Sequence, residues 1–470
     1  MMKKTNKIDF TTIEWDKLIV EADNLFSELF PICRSITGNG VRQTLEILNQ
    51  VYSFIIKEIP SNTICYDWIV PEEWNITDAF IMNSTGTKIV DFKQSNLHVV
   101  NYSVPINKRL QFDELNKHLH YLPDIPDAIP YRTSYYNKDW GFCLSYEQYL
   151  RLNRNEEYHV FIDSSFSNGS LTYGEGIING ISGKEYLIST YCCHPSLAND
   201  NLSGLILWAL LWRELNKIET IHSYRFIIVP ETIGAIAYLS ENENEMKKID
   251  GGFIPTTVAG PGKFGYKQTF KANHTIDRVV KRTFEELNIQ YIEYPFCING
   301  SDETHYSAPY FRIPIGTICK DKYFEYDYYH TSLDNLEFVS AQDLVESLKL
   351  YLLAIEKLEI NLIYKSTNPY CEPMLGKRNL YPKIGGHIKQ KAVNLEKSHS
   401  QREYEISTDN LIYGNELDAI GWLMFYADGN TSLLKISEKT KIPMKQLYEI
   451  SKKLEEKGLL IPQILTKDII

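Results

Sequence analysis

"YCCHPSLANDNLSG", residues 191–204, sets a histidine and an aspartate six positions apart, between an apolar run and a small-residue exit. The run "EYLISTYCC" (185–193) reads as a strand, and "GLILWALLWRELNK" (204–217) as a helix. A strand that leaves through a polar loop into a helix is the unit of an α/β fold. His194 and Asp200 then lie beyond a strand's carboxyl end, where such sheets bind ligands. Each residue also has an ordinary reading, a packed histidine and a helix N-cap. The rest of the chain decides between them.

The alternation continues on both sides. "EYHVFIDSSF" (157–166) and "LTYGEGIING" (171–180) read as strands before it. After it come the strand "YRFIIVP" (224–230), a helix from "ETIGAIAYLS" (231–240), the strand "GGFIPTTVAG" (251–260) and the helix "TIDRVVKRTFEELN" (275–288). The strand "PIGTICK" (314–320) and a long amphipathic helix at 341–359 close the series. This predicts a largely parallel central sheet. Two amphipathic helices precede it, at 13–30 and from 38 onward. Between 61 and 135, "TICYDWIV", "AFIMN", "LHVVNYS" and "HLHYL" are short β-type runs separated by turn residues, a small β-rich insertion. Residues 366–404 are rich in Pro and Gly and read as a linker. Residues 405–470 give three helices and a short apolar run, a winged-helix pattern. The expected domains are therefore 1–60 with 136–365, the insertion 61–135, and the tail 405–470.

Composition narrows the function. The 470 residues are 43% hydrophobic and 23% charged, as in an ordinary globular protein. A net charge of −11 speaks against a nucleic-acid coat or an anionic membrane as partner. No run reaches the ~18 to 20 apolar residues of a membrane span. The N-terminal lysines are not followed by an apolar stretch, so no signal peptide is expected and a cytoplasmic location is. The eight cysteines are scattered with no C-x-x-C pair, which suits reduced thiols.

Acids and histidines collect just past the strands: His194, Asp200, Glu231, Asp302 and Glu303 in "INGSDETHY", and His330 in "YYHTSLDNLEF". Zinc accepts imidazole and carboxylate ligands, commonly three from protein, and leaves a position for water. A His, an Asp and a distant His satisfy that set. Glu231 is then the candidate to take a proton from water, and Asp302 or Glu303 to hold a cationic substrate group. Arg132, in the Tyr-rich "PYRTSYY", is a candidate for a substrate carboxylate, with a structural junction arginine as its rival reading. Tyr329, with Tyr326 and Tyr328, is a candidate pocket wall, against strand packing. His274 and His305 are read as non-ligands, and Cys192 and Cys193 as packing residues.

The order of "CCHPSLANDNLSG", "VPETIGAIAYL", "GSDETHYS" and "HTSLDNLEF" resembles the zinc-dependent exopeptidases of the aminopeptidase type. A narrower likeness, carried by "CRSITGNGVR", "YRTSYYNKDWGFCLS" and "YCEPMLGKR", is to bacterial aminopeptidase-like proteins with an inserted β-domain and a winged-helix tail. The resemblance implies a three-layer α/β exopeptidase fold with a mixed central sheet. Where two-metal members carry Glu-Glu, this chain has Glu231-Thr232, and where they place a further Asp ligand it has threonines in "FIPTTVAG". The resemblance thus implies one zinc per chain on His194, Asp200 and His330, with no second metal. It implies Glu231 as general base and Asp302 as the anchor for a substrate α-amine.

The function expected is hydrolysis of a terminal amide in a peptide or aminoacyl amide. Rival readings are a single-zinc amidase, carboxypeptidase or acyl-transfer enzyme on a small modified metabolite, glutaminyl-cyclase-like chemistry included. A rival of another class is a ligand-sensing DNA-binding regulator. Against DNA, the third tail helix sets Glu449, Glu455 and Glu456 beside Lys445, Lys452, Lys453 and Lys457, with no arginine for a guanine contact. No membrane partner is expected; a homo-oligomer is compatible with the sequence.

Overall fold

The structure, a computed structural model, describes residues 8–380 and 416–463. The central sheet has eight strands among the described residues. Their order across it is Ile55–Pro60, Ser170–Ile178, Ser223–Val229, Glu185–Tyr191, Ile249–Phe253, Ile315–Lys320, Phe264–Lys267 and Ile292–Tyr294. Glu185–Tyr191 lies between two parallel neighbours, and Ile249–Phe253 pairs in parallel with Ile315–Lys320. Antiparallel strands flank this parallel middle, so the sheet is mixed.

Side-chain alternation shows the layers. Along Ser223–Val229 every residue is buried, as a sheet covered on both faces requires. Phe226 meets Trp208 and Trp212 of helix Gly204–Asn216, with ring centroids at 5.5 and 5.2 Å. Its neighbours Ile227 and Val229, of the opposite parity, join a core with Ala235, Tyr238 and Leu239 of helix Ile233–Glu241. Successive side chains of one strand thus serve two helical layers.

The strand Glu157–Ser167 departs from the sequence reading. It pairs with Glu73–Met82 and Ile106–Gln111 in a four-stranded antiparallel sheet, completed by Lys88–Asp91. Tyr158, Val160 and Ile162 pack there with Ala79, Ile81 and Leu110. Alternation marks a strand with one buried face but says nothing of its partner, and here the partner lies some 80 residues earlier. "LHVVNYS" is not a strand either: it forms a 3-10 turn at Asn96–His98.

The chain divides into two units, 1–354 and 355–470. The second contains helices Glu416–Tyr426, Leu433–Thr440 and Met444–Glu456. Its three-stranded sheet places Ile363–Ser366 between Asp428–Ser432 and Leu460–Pro462. The middle strand thus comes from the stretch that the sequence groups with the first domain. Most of the expected linker and the first part of the expected tail, 381–415, lie outside the described residues, as do 464–470.

One charged contact fastens the first unit's helices to its sheets. Arg42, on helix Asn39–Tyr52, forks onto both Glu73 oxygens at 2.7 and 2.5 Å and reaches Glu58 Oε1 at 2.7 Å. The hydrogen bonds from Arg42, opposed by burial, hold the Glu73 carboxyl down to about 2. A carboxyl depressed in the fold contributes stability above its unfolded pKa of about 4.3 and loses it as pH falls toward 2. Arg42→Ala should therefore flatten the loss of stability between about pH 4.5 and 2. It should cost roughly 1 to 2 kcal/mol at pH 7, the pair being partly solvated. Denaturant unfolding of parent and variant at pH 7 and pH 3 measures both; an unchanged pH slope would refute the assignment.

Candidate metal centre

Three side chains from separate parts of the chain meet beyond the carboxyl ends of the central strands. The metal-capable atoms of His194, Asp200 and His330 all lie within 4.8 Å of one another. His194 lies just past the strand Glu185–Tyr191, after Cys192 and Cys193. Arg34 Nε donates to its carbonyl oxygen at 2.8 Å, which fixes the backbone there. Arg34 is 1% exposed, and Nη1 donates to Leu29 O at 2.7 Å, so the guanidinium ties the end of the first helix to the histidine loop.

Asp200 lies in the irregular turn Ala198–Ser203, and no side chain caps the helix that follows. The N-cap reading of Asp200 is therefore replaced by another role. Asp334 Oδ1 and Oδ2 accept the amides of Asn199 and Asp200 at 2.6 and 2.9 Å, clamping the turn. Tyr191 donates its hydroxyl to Asp200 Oδ1 at 2.6 Å. Gly204 closes the turn where a Cβ would collide with Asn201 Oδ1 and the carbonyl oxygen of Pro255.

Asp200 Oδ2 is then left facing His330 Nε2 at 3.0 Å and His194 Nε2 at 3.8 Å. Asp200 Oδ2 and His330 Nε2 are buried atoms with no hydrogen-bond partner among the described residues. Polar atoms in that state are costly unless something pairs with them. Two imidazoles and one carboxylate are a donor set suited to zinc. Burial, opposed by the charge of Asp200, pushes His194 down to about 4. Burial raises Asp200, but the two histidines and the Tyr191 hydroxyl outweigh it and bring the carboxyl to about 2. A neutral imidazole and an ionised carboxylate are the forms that bind a cation. His194 Nδ1 is engaged by Cys193 Sγ at 3.4 Å, which leaves Nε2 for the cluster.

Glu231 enters from the end of strand Ser223–Val229. Its amide donates to Cys193 Sγ at 3.4 Å, Oε1 accepts from Ser301 Oγ at 2.7 Å, and Oε2 stands 3.9 Å from His194 Nε2. Burial, and next the charge of Asp200, push its carboxyl up to about 7. The side chain keeps 28% of its surface exposed, so the carboxyl remains open to a reacting water. Cys193, read from sequence as packing alone, is thus within ligand distance of His194 and Glu231.

The other candidates are placed differently. Asp302 is 1% exposed, and Oδ1 accepts the Thr232 amide at 2.8 Å. Oδ1 thus braces the turn after Glu231, while Oδ2 is buried with no hydrogen-bond partner among the described residues. Glu303 is also buried, ion-paired with Lys267, and accepts the Ser301 amide. Its charge is already matched, so it orients the serine that holds Glu231. Arg132 is exposed, and its charge acts on His120 and Cys143. Its neighbour Tyr131 is the residue at the cluster, with its ring 5.2 Å from both His194 and His330. Tyr329 stacks on His330 at 3.9 Å, and Tyr326 donates to Asp334 Oδ2 at 3.0 Å.

Residues 23–361 match the profile of a domain of unknown function, DUF4910, and residues 404–462 that of a winged helix-turn-helix. The chain belongs to the DUF4910 family. A relative from Clostridium acetobutylicum, named for polysaccharide biosynthesis and an aminopeptidase-like domain, is 42% identical over 427 residues. These span 91% of the DUF4910 chain and 93% of the relative. A crystal structure from the same organism, named as a peptidase, matches with a TM-score of 0.85 at 39% identity, over 96% of this chain and 97% of that one. A zinc aminopeptidase from Bacillus subtilis matches at 0.55 and 14% identity, over 75% and 96% of the two chains, a likeness of fold. The DUF4910 chain thus has the aminopeptidase-type α/β fold that its motif order implies.

Proposed function

We propose that this chain is a zinc-dependent hydrolase of terminal amide bonds, with His194, Asp200 and His330 as the metal's protein ligands. The observation that carries the reading is the convergence of Asp200 Oδ2 with the two imidazole Nε2 atoms beside Glu231. Zinc, when bound, supplies a Lewis acid for the amide carbonyl and makes water acidic enough to attack it. Glu231 is placed to accept the water's proton on Oε2 and to return it to the leaving amine, with Oε1 held by Ser301. The relatives named as aminopeptidase-like and as a peptidase support the reaction class.

One metal per chain is favoured by what occupies the far side of Asp200. Oδ1 is taken by Tyr191, whose hydroxyl also contacts Thr256 Oγ1 at 2.7 Å. A tyrosine and a threonine thus fill the space beside the carboxylate oxygen that a second cation would need. Purified protein equilibrated with zinc should hold about one metal per chain and cleave anilides of amino acids or acylated amines. Two tightly held metals, or no turnover on either class, would overturn the proposal.

The burial of Asp302 and the pairing of Glu303 favour a second reading of the substrate. With Asp302 buried from solvent and Glu303 ion-paired inside the protein, an amidase acting on an acylated small molecule gains over an aminopeptidase. N-acylated anilides cleaved faster than those with a free α-amine would support it. For the winged helix we favour a packing or interaction role. Lys445, Lys452 and Lys453 pair with Glu356, Glu455 and Glu416, which leaves its third helix a weak basic face. No helix among the described residues is long and apolar enough to cross a membrane.

A further inference from the structure

The stretch 129–135 closes the β-rich insertion read from the sequence, and the proposed chemistry leaves it without a role. It is sewn on both sides. Toward the β-rich region, Asn101 donates to Arg132 O at 2.8 Å, and Ser134 donates back to Asn101 O at 2.9 Å. Toward the metal centre, Tyr131 donates its amide to His330 O at 2.8 Å, and Ser332 donates to Ile129 O at 2.8 Å. The Ile129 amide reaches Ser332 Oγ at 2.9 Å, and Pro130 forms an antiparallel bridge with Thr331. The loop that carries His330 is thus paired, residue by residue, with the insertion's last segment.

His330 needs such support. Its φ is +55°, a left-handed backbone state that a non-glycine residue keeps only where its surroundings enforce it. Tyr131, 7% exposed, sets its ring tilted against His194 and edge-to-face with His330, and packs in a cluster with Leu97 and Leu197. Leu97 belongs to the β-rich region, and Leu197 leads into the turn of Asp200. One ring therefore touches both histidines and the approach to the aspartate. Its hydroxyl is 3.0 Å from that of Tyr135, directed along the same segment.

We propose that the β-rich insertion is a working part of the metal centre, its closing segment setting His330 and Tyr131 acting as the positioning residue packed against both imidazoles. The inference rests on the reading of His194, Asp200 and His330 as zinc ligands. The flat ring does the positioning by packing; the hydroxyl bond to Tyr135 adds orientation within the segment. Loss of an outer-shell partner commonly weakens metal affinity by about 10- to 100-fold. Tyr131→Ala should fall in that range, whereas Tyr131→Phe keeps the ring and should stay within about threefold of the parent.

The test is zinc affinity of the full chain, by competition with a chromophoric chelator, together with the melting temperature of each metal-free form. A structural role alone would lower the metal-free melting temperature and leave the affinity of the folded protein unchanged. Should Tyr131→Ala not fold, Tyr131→Leu keeps bulk between Leu97 and Leu197 but lacks the flat face, and the same loss of about 10-fold or more is expected. Affinity within threefold of the parent in folded Tyr131→Ala or Tyr131→Leu refutes the inference and leaves the ligand assignment standing. An equal loss in Tyr131→Phe also refutes it, by moving the effect to the hydroxyl. A parent protein that binds no zinc overturns both the inference and the metal reading on which it rests.

Discussion

Glu231→Gln should retain its zinc and lose about 10²- to 10⁴-fold in kcat, the range that general acid–base help supplies. The substitution keeps the shape of the side chain. An amide oxygen in place of Oε1 still accepts from Ser301 Oγ, 2.7 Å away in the parent, so the arm keeps its anchor. What disappears is the basic oxygen 3.9 Å from His194 Nε2. The three ligand atoms lie on other residues, so metal content should not change. Elemental analysis and turnover on one batch separate the two effects. A metal-loaded variant with near-normal kcat would end Glu231's candidacy, and a variant without metal would make it a ligand instead. The size of the expected loss rests on the surroundings of the carboxyl. Thr232 is held at a φ of +64° by the bond from its amide to Asp302 Oδ1, which fixes the turn that carries Glu231. Lys267, Glu303 and Ser301 then form a buried line of contacts ending on Oε1.

The sequence showed the scaffold more clearly than the site. Strands alternating with helices between 171 and 359 were readable because each buries a face with its own period. The order of the polar loops was readable because such loops follow strand ends. The placement of Glu157–Ser167 was not readable, since its alternation fits any sheet with one buried face. At the centre, His194, Asp200 and His330 could be singled out as candidates in advance because few residue types ligate metals, and the structure brings the three together. The residues that hold them could not. Arg34, Tyr131, Tyr191 and Asp334, with Ser301 on Glu231, act through one or two hydrogen bonds or a ring face, across separations from 9 to about 200 positions of chain. No local pattern encodes such a partner. Each lies inside a stretch conspicuous in the sequence, so the stretches were visible while their geometry was not. The reading of Asp302 and Glu303 as substrate-facing acids shows the converse limit. Their residue types suggested charge at a surface, and the structure gives them internal partners, the Thr232 amide and Lys267.

Asp200→Asn should abolish zinc binding and modestly destabilise the metal-free protein at pH 7. The two effects have different causes. An asparagine fills the same space, and its carbonyl oxygen accepts from the Tyr191 hydroxyl as Oδ1 does at 2.6 Å. Its amide nitrogen replaces Oδ2, which stands 3.0 Å from His330 Nε2 with no hydrogen bond formed. The nitrogen can donate there, so an unpaired buried acceptor becomes a paired donor and a buried charge is removed. Against that gain, and in spite of burial, the two histidines and the Tyr191 hydroxyl hold the carboxyl at about 2, so its charged form contributes stability at pH 7 that the amide loses, and the metal-free fold is weakened. With zinc the loss is larger. The carboxylate is the one anionic group among the three proposed ligands, and its loss should exceed the ~10- to 100-fold typical of an outer-shell partner. Ligand binding stabilises a fold by about 2.7 kcal/mol at 100 times Kd. For a chain of this size that is a rise of roughly 3 °C in the melting temperature of the parent on adding zinc. The variant should show no rise. Melting curves of both proteins, with a chelator and with excess zinc, give the four values needed. A zinc-dependent rise preserved in Asp200→Asn would remove Asp200 from the ligand set. A metal-free variant more stable than the parent would mean that the histidines and Tyr191 do not match the carboxylate's charge in the absence of a metal.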